Sequence, residues 1–567
     1  MSQFFPIFSW LKTYRCADFN GDLFAGIITA ILLVPQGIAF AILAGLPPQF
    51  GLYASILPPL FYAVLGTSRT LSVGPVSIAA IMIASALQLP EVHALGNPLQ
   101  SAVILSAESG AILLMMAVCR MGGLVNFISH PVLTGFTSGA ALLIIGSQFP
   151  QTLGLKSPTC GVDVACYQTY LQGMNFTTVL LSVVALGILL FFGKPLASLL
   201  KAIGLSSGLV TAVGKCGALV TVALTTFAVS HWDLTAQHVS IVGEIPAGFP
   251  SLNFDFLDLE KWKILSSSAA FIALIAYVES VAIAKVVANL RNEKIDPNQE
   301  LIALGFSNLA TAISGGMPVA GGFSRTMVNF AAGARTQIAM VIAAMILSVA
   351  VVFFTAWFQN IPKAALAVII LMANLPLVKF RNIYHTWQYD KGDGIAELAT
   401  LISVLILGIE EGITLGIFLT FASYLRKASH PHIAVVGRLP NSKHFRNVKR
   451  HQVETWEKLL LMRIDENITF ANINFVEEFI EDALRNSPKV QHIVLIFTSV
   501  SDIDMTAMEA LEQLNHRLKN SAITLNFAEV KGFLRDKLAK SDLLAHLNGQ
   551  VFFDAQEAVE KLNMSEN

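Results

Sequence analysis

Residues 315–334, GGMPVAGGFSRTMVNFAAGA, decide the fold, because this apolar stretch cannot form one continuous helix. Its first half holds four glycines and Pro318, and these residue types break helices or let backbones approach closely. From about residue 323 to residue 332 the sequence predicts a short helix whose first turn carries Ser324 and Arg325. Non-helical backbone at membrane depth is tolerated only where protein buries it or where it lines a cavity. A hydroxyl, a guanidinium and the free N–H groups of a helix start therefore predict an anion site here.

An earlier stretch, residues 66–87, has the same organisation. Its β-branched first part reaches Gly74 and Pro75, and a short apolar helix with Pro75 at its first position is predicted to follow. Two interrupted segments at corresponding positions in the two halves of a membrane chain indicate the midplane site of a transporter. For either stretch alone, a kinked helix packed through small residues is the alternative.

The composition places the whole chain among membrane proteins. Hydrophobic residues make up 54% of the chain and charged residues 13%, whereas about a quarter of an average soluble chain is charged. The net charge of −1 does not indicate nucleic-acid binding, and no nucleic-acid partner is expected. The five cysteines lack metal-ligand spacing, and no catalytic set of residues can be assigned. We therefore expect no metal, no cofactor and no enzymatic activity.

Apolar runs long enough to cross a bilayer, about 20 residues each, recur as far as Leu425. Fourteen elements are predicted, and the third and the tenth are half-length. They lie near residues 22–45, 50–65, 73–88, 101–119, 127–149, 175–193, 207–229, 267–290, 300–315, 321–334, 338–358, 362–377, 394–409 and 412–425. Most lysines and arginines fall on one side, which the positive-inside rule assigns to the cytoplasm together with both termini.

The two short elements are seven apart, and this spacing predicts an internal symmetry. Elements one to seven and eight to fourteen are expected to form inverted repeats, related by a pseudo-two-fold axis in the membrane plane. Pro131, early in the fifth element, and Pro362, early in the twelfth, occupy matching positions. The N-terminus has no signal-peptide pattern, so residues 1–20 are interpreted as a retained cytoplasmic segment before a transmembrane domain at 21–428.

Beyond Arg426 the composition changes abruptly. Strand-like runs alternate with amphipathic helices, which predicts a small cytoplasmic α/β domain over residues 432–563. Strands are expected at 458–463, 492–497, 523–527 and 551–553, and helices at 475–484, 504–519, 530–538 and 555–562. No phosphate-binding loop or catalytic set can be assigned there, so this domain is interpreted as regulatory or structural.

Several of these stretches resemble the sulfate permease (SulP) family of inorganic anion transporters. The resemblance is carried by VPQGIAFA at 34–41, PPQFGLYAS at 47–55, GTSR at 66–69, SVGP at 72–75 and FSR at 323–325. VSDIDMTAMEAL at 500–511 resembles the loop and helix of a STAS domain. The resemblance runs from about residue 18 to residue 562. It implies a homodimer with a uracil-permease-like, seven-plus-seven inverted-repeat fold, in which elements 1–4 and 8–11 form a core and elements 5–7 and 12–14 a gate.

Arg325 and Glu279 are the ionisable residues that we expect at the site. An arginine at the membrane midplane is costly unless it faces protein or water, so Arg325 is interpreted as the anion-binding cation. A fixed salt bridge that stiffens the core is the alternative. The resemblance implies an acidic residue beside the substrate cavity at Glu279, where it pairs with Arg325 or takes up and releases a proton.

Gln36 and Phe40 lie four residues apart and hence on one helix face. The resemblance implies that the Gln36 amide donates to the anion and that the Phe40 ring walls the site. Ordinary packing around a kink at Pro35 is the alternative. Val76 and Ser77 are predicted in the first turn of the third element, facing Ser324. The predicted substrate-binding residues are Gln36, Phe40, Val76, Ser77, Gly322, Phe323, Ser324 and Arg325.

The predicted function is secondary-active transport of a small inorganic anion through alternating access. The leading substrate is sulfate, and the leading coupling mechanism is proton symport. Sodium-coupled bicarbonate members of the family pair the acidic residue with a Thr one turn later, where this chain has Ile283. They also lack an Arg at the position of Arg325. Sodium coupling is therefore in doubt, whereas bicarbonate or chloride exchange stays open. An anion channel or a voltage-responsive membrane protein is the alternative from another class.

Two further expectations concern the loops and the C-terminal domain. Cys160 and Cys166 are placed outside the cell, where a disulfide or two free thiols are both compatible with their spacing. Thr506 occupies the position of a phosphorylated Ser in bacterial STAS proteins, but Asp504 as a helix cap with Thr506 in the first turn is the simpler interpretation. The expected location is the plasma (inner) membrane, with a cytoplasmic regulator as a further partner of the STAS domain.

Overall fold

The computed structural model describes residues 5–126, 129–155, 172–204, 210, 213–214, 216–249, 252 and 254–564. They form two compact units, Met1–Phe418 and Leu419–Asn567. The first unit is helical, and the second combines a six-stranded sheet with helices. The domain boundary predicted at 428–432 falls at the end of the helix Ile409–Ser429 and stays a prediction.

Every one of the fourteen predicted elements contains a described helix. The helices of the first unit are Ile7–Leu11, Cys16–Leu43, Pro48–Tyr53, Leu57–Leu65, Ser77–Gln88, Pro90–His93, Pro98–Val118, His130–Thr152, Phe176–Phe192, Lys194–Ala202, Gly217–His231, Leu259–Arg291, Pro297–Ile313, Phe323–Ala331, Ile338–Phe353, Thr355–Phe358, Lys363–Asn374, Phe380–Tyr389, Lys391–Ile406 and Ile409–Ser429. The predicted second element is divided into Pro48–Tyr53 and Leu57–Leu65. Pro58 and Pro59 lie in the first turn of Leu57–Leu65, where the N–H that proline lacks would have no helical acceptor.

Six helical stretches among the described residues are long and apolar enough to cross a membrane. They are Cys16–Leu43, Pro98–Val118, His130–Thr152, Phe176–Ala202, Glu260–Arg291 and Lys363–Tyr389. Shorter apolar helices of 10–17 residues, such as Gly217–His231 and Ile338–Phe353, accompany them. The unit is therefore a polytopic helical membrane fold, and the count of fourteen crossings stays a prediction.

The helix Cys16–Leu43 continues through Pro35 and packs closely against the next helix, Pro48–Tyr53. A Cβ added at Gly51 would lie 1.9 Å from the carbonyl oxygen of Gly37, so only glycine fits at this crossing. This close packing explains why the family-like runs on both sides of residue 45 are rich in small residues.

Both predicted interruptions are present, and they meet. Strand β1 (Val73–Gly74) pairs antiparallel with strand β2 (Ala320–Gly321), with Val73 opposite Gly321 and Gly74 opposite Ala320. Each strand leads into a short helix, which we call the first half-helix (Ser77–Gln88) and the second half-helix (Phe323–Ala331). The residues before them, 67–76 and 315–322, are called the first and the second interrupted segment.

The prediction that Pro75 occupies the first position of the first half-helix is wrong. The helix begins at Ser77, and Val76 is its N-cap residue with an extended backbone, φ −131° and ψ 152°. Val76 therefore does not lie in the first turn, whereas Ser77 does. The physical reason is that the carbonyl of Pro75 accepts a hydrogen bond from the Arg325 side chain, which keeps residues 75 and 76 out of the helix.

The second unit is built on a sheet with the strand order β4-β3-β5-β6-β7-β8. The strands are β3 (Ile433–Arg438), β4 (Phe445–Asn447), β5 (Leu459–Ile464), β6 (His492–Ile496), β7 (Thr524–Ala528) and β8 (Val551–Phe552). The helices are Ile473–Arg485, Met505–Asn520, Gly532–Leu538, Asp542–His546 and Ala555–Met564. All four predicted strands and all four predicted helices are present within a few residues. The antiparallel strands β3 and β4 and the helix Asp542–His546 were not predicted, because none shows a long periodic run.

Candidate functional site

Arg325 lies where the two interrupted segments meet. Its side chain is 2% exposed, and Nη1 donates to the carbonyl of Pro75 at 2.5 Å and lies 3.5 Å from Oε1 of Gln36. Its Nε and Nη2 have no hydrogen-bond partner among the described residues. A Cβ added at Gly322 would lie 2.9 Å from Cζ of Arg325, so glycine leaves the room that the guanidinium needs. The guanidinium therefore keeps free N–H donors in a buried position, which proteins rarely leave unpaired.

The pairing of β1 with β2 brings the starts of both half-helices close to the same junction. The described side chains give neither half-helix an N-cap hydrogen bond. The N–H of Gly322 donates to the carbonyl of Ser72, and Oγ1 of Thr326 accepts from the N–H of Ser72 at 3.0 Å. These bonds hold the second half-helix against the first interrupted segment. Two helix N-termini and one arginine together form a positive potential suited to an anion.

Glu279 lies near this junction on the helix Leu259–Arg291. It is half-buried, and its Oε2 is buried without a hydrogen-bond partner. No ion pair joins it to Arg325 in the described part of the chain. The next residue, Ser280, accepts a hydrogen bond from the N–H of Gly321 at 2.7 Å and thereby ties this helix to β2.

The other predicted site residues divide into a buried group and an exposed group. Gln36 and Phe40 are 7% and 6% exposed, and Val76 packs in a small cluster with Ala320. Phe323, by contrast, is 46% exposed, and Ser324 is exposed too. Gln36 uses its amide oxygen toward Arg325, so the NH₂ group that was predicted to donate to the anion is left for that role. Whether Val76 and Ser77 face Ser324 stays a prediction.

Ser77 makes a contact that was not predicted. Its Oγ donates to Oδ1 of Asn374 at 2.9 Å, and Asn374 is the last residue of the helix Lys363–Asn374. This bond connects the first half-helix to a helix of the predicted gate.

Glu300 fixes the beginning of the first interrupted segment. Its carboxylate is fully buried and accepts hydrogen bonds from the Tyr62 hydroxyl at 2.7 Å, from the Thr67 N–H at 2.8 Å and from the Thr67 hydroxyl at 2.6 Å. The N–H of Ser68 donates to the same carboxylate at 3.3 Å. A buried carboxylate with this number of donors is stabilised in one position.

Two amide side chains hold the middle of the same segment. Gln337 donates through Nε2 to the carbonyls of Ser68 and Leu71, at 2.8 and 3.0 Å. Asn329 donates to the carbonyl of Thr70 at 3.0 Å. Backbone that is neither helix nor extended sheet needs such partners, since a buried carbonyl without one costs about 1–3 kcal/mol.

Asn308 fixes the second interrupted segment. Its Oδ1 accepts from the N–H of Val319 at 2.9 Å, while its Nδ2 donates to the carbonyl of Val319 at 3.1 Å and to that of Leu304 at 3.0 Å. Asn308 thus pairs with one residue of the segment in the manner of a neighbouring strand. Glu300, Asn308, Ser280 and Asn374 were missed by sequence reasoning. Each of them is a polar residue inside an apolar run, which marks it as unusual. The sequence of the run does not reveal which backbone groups that residue contacts in the folded protein.

Two predicted features lie outside this site. Cys160 and Cys166 fall outside the described residues. Thr506 is exposed in the first turn of the helix Met505–Asn520, where Oδ1 of Asp504 accepts from the N–H of Ala507 at 2.9 Å. Asp504 therefore caps this helix, as the simpler of the two interpretations requires.

Known proteins resemble the chain over nearly its whole length. The model of the sulfate permease family matches residues 19–400, and that of the STAS domain matches residues 450–558. "Sulfate transporter 4.1, chloroplastic" of Arabidopsis thaliana is 32% identical over 97% of this chain and 81% of its own length. "High affinity sulfate transporter 2" of Stylosanthes hamata is 30% identical over 99% of this chain and 86% of its own length.

Solved structures share the fold at lower sequence identity. The structure of SLC26A9 superposes with a TM-score of 0.88 at 20% identity, and the match covers 100% of this chain and 93% of that one. The transmembrane domain of the cyanobacterial bicarbonate transporter BicA gives a TM-score of 0.60 at 22% identity, over 70% of this chain and 98% of that one. The family and these relatives are transporters, not enzymes. The chain belongs to the sulfate permease family and carries a C-terminal STAS domain.

Proposed function

We propose that the chain transports a small inorganic anion across a membrane, with sulfate as its leading substrate. The observation that supports this most is Arg325, whose Nε and Nη2 are buried without partners beside the starts of two half-helices. Sulfate presents several acceptor oxygens, and a guanidinium matches them in geometry as well as in charge. The sulfate transporters among the relatives favour the same anion.

Proton symport is the coupling that we propose, with Glu279 as the proton-carrying residue. The Oε2 atom of Glu279 is buried and has no hydrogen-bond partner among the described residues, and an ionisable side chain inside a membrane domain is a candidate for proton transfer. A protonated Glu279 leaves the charge of Arg325 to the anion. The proton and the anion are then bound together and released together, which is the requirement for symport.

Two alternatives in transport differ in what moves with the anion. Bicarbonate or chloride exchange needs no titrating residue. It stays an alternative because the fold resembles that of a bicarbonate transporter. Sodium-coupled bicarbonate uptake is disfavoured, because the position one turn after Glu279 is Ile283, which is buried and has no oxygen for a cation. An anion channel or a voltage-responsive protein would differ from both in its kinetics, since channel flux does not saturate at low anion concentration.

The transport cycle that we propose is alternating access in a homodimer. Predicted elements 1–4 and 8–11 act as the core that carries the anion, and elements 5–7 and 12–14 act as the gate. Both termini lie in the cytoplasm, the membrane is the plasma (inner) membrane, and the STAS domain sets the transport rate, alone or with a cytoplasmic regulator. Truncation after Lys427 is expected to leave anion binding in place while changing the transport rate and weakening dimerisation. Loss of anion binding in the truncated protein would contradict this division.

The experiment that tests the function is uptake into proteoliposomes. Labelled sulfate, bicarbonate and a dicarboxylate are offered separately, each with and without an inward proton gradient. The expected result is saturable sulfate uptake that rises when the outside is acidified. Bicarbonate uptake that ignores the proton gradient but depends on internal anion would establish exchange instead. Flux that does not saturate would indicate a channel.

A further inference from the structure

Ser77 and Asn374 share one hydrogen bond whose direction can be assigned. Oγ of Ser77 and Oδ1 of Asn374 are 2.9 Å apart. Asn374 is 1% exposed, and its Nδ2 donates to the carbonyl of Ile370 at 2.8 Å. A carbonyl only accepts, so the nitrogen of the Asn374 amide faces Ile370 and its oxygen faces Ser77. Ser77 is therefore the donor, and its single hydroxyl proton is used by Asn374.

The same proton is suited to an anion at the start of the first half-helix. The first helical bond runs from the N–H of Ala80 to the carbonyl of Val76, so the three N–H groups before Ala80 have no helical acceptor. The unpartnered Nη2 of Arg325 lies near the end of β1, 3.3 Å from the position of a Cβ on Gly74, and Gly74 is three residues before this helix start. An anion bound among these donors would also accept the hydroxyl proton of Ser77. The anion and Asn374 thus compete for one proton.

We propose that Asn374 is a positioning residue of the anion site, which holds the Ser77 hydroxyl while the site is free and gives it up when an anion binds. The inference rests on the proposed function of that site. Ser77 begins the predicted third element and Asn374 ends the helix of the predicted twelfth element. Anion binding therefore removes a hydrogen bond between the predicted core and the predicted gate. The loaded core is then expected to move more readily than the empty one, so that sulfate binding itself lowers the barrier to the transport step.

The test is a double-mutant cycle read by calorimetric titration of sulfate into the purified full chain in lipid nanodiscs. Asn374→Ser removes the acceptor, and the new hydroxyl can bond to the carbonyl of Ile370 one turn back. This variant is expected to bind sulfate about three- to tenfold more tightly, the equivalent of one hydrogen bond. In a Ser77→Ala background the same substitution is expected to leave the Kd unchanged, because no proton is left to compete for. Ser77→Thr, which keeps the hydroxyl, is expected to restore the response to Asn374→Ser.

Controls separate this mechanism from a packing effect. Ser348→Ala removes another half-buried membrane serine, one whose hydroxyl donates to the carbonyl of Ala344 on its own helix at 2.8 Å, and is expected to leave the Kd unchanged. Asn374→Thr is the second variant if Asn374→Ser does not fold, as judged by thermal unfolding. The inference is overturned if the wild-type protein binds sulfate but Asn374→Ser changes the Kd equally with and without the Ser77 hydroxyl, or does not change it at all. A wild-type protein that binds none of sulfate, bicarbonate and chloride overturns the proposed function itself.

Discussion

The first and the second interrupted segments do the same job in the chain, yet they are held in different ways. The first segment, residues 67–76, is fixed by side chains from the second half of the sequence, among them Glu300, Asn329 and Gln337. The second segment, residues 315–322, is fixed by Asn308 and Ser280, which belong to its own half. Only the second segment leads into a half-helix that carries a buried arginine.

This difference suggests separate roles for the residues that hold the first segment in shape and for those that position the proposed anion site. The first segment is held largely by side chains of the second half, and it leads into the half-helix that begins with Ser77. The second segment is held chiefly by side chains of its own half, and it leads into the half-helix that carries Arg325. The two segments therefore differ in chemistry, and variants in them are expected to fail in different ways.

The largest effect is expected for Arg325→Ala. Loss of the guanidinium at the junction should weaken sulfate binding about a hundredfold or more, which corresponds to roughly 3 kcal/mol. Calorimetric titration in nanodiscs measures this directly, and Arg485→Ala, an exposed arginine of the second unit, is the matched control. Wild-type affinity in Arg325→Ala would place the anion elsewhere and remove the asymmetry between the segments.

Glu279→Gln should remove the proton drive and keep the site. The amide has nearly the same shape but cannot release a proton, so uptake down a sulfate gradient should persist while accumulation driven by a pH gradient is lost. Proteoliposomes with either gradient distinguish the two, and Glu244→Gln, at an exposed loop position, is the control. Accumulation by Glu279→Gln under a proton gradient alone would show that another group couples transport.

Glu300→Gln compares the supports of the two segments. Tyr62 donates to Oε2 of Glu300 and Thr67 donates to Oε1, so the one amide nitrogen that this substitution introduces would face either the Tyr62 hydroxyl or the Thr67 donors. The melting temperature followed by intrinsic fluorescence should fall by several degrees, because charge-assisted bonds worth about 1.5–3 kcal/mol each are weakened or lost. Asn308→Ala should instead raise the Kd for sulfate, because Val319 then no longer positions β2 before Arg325. If Glu300→Gln weakens anion binding as much as Asn308→Ala does, the two segments do not differ in their roles, and both affect the anion site equally.

The same substitution in each segment gives the smallest and sharpest comparison. A Cβ on Gly322 would lie 2.9 Å from Cζ of Arg325, whereas one on Gly74 would lie 3.3 Å from Nη2. Gly322→Ala should therefore displace the guanidinium more and weaken sulfate binding by about tenfold, at the lower end of the cost of overpacking, whereas Gly74→Ala should weaken it by only about twofold. Gly146→Ala, with open space around its added Cβ, is the control. Equal effects of Gly74→Ala and Gly322→Ala would show that the guanidinium moves freely between both walls.

Sequence reasoning found the parts that depend on local chemistry. Glycines and Pro318 predicted the second interruption, and the run after Gly322 predicted a half-helix that the structure has at Phe323–Ala331. The pairing of β1 with β2 could not be predicted from the sequence, because a two-residue strand has no periodicity. Asn308 and Asn374 were missed for another reason. Their hydrogen-bond partners depend on which helices pack together, and the sequence of an apolar helix does not identify the helix beside it.

The join between β1 and β2 has a consequence for how such a site can change over time. It is made by the backbone, with Val73 opposite Gly321 and Gly74 opposite Ala320, and therefore does not depend on which side chains stand there. Side chains around it can be exchanged within the limits of space while the two half-helices stay aligned. A lineage can in this way alter the size and polarity of the side chains beside the junction without first having to rebuild the backbone pairing that aligns the two half-helices.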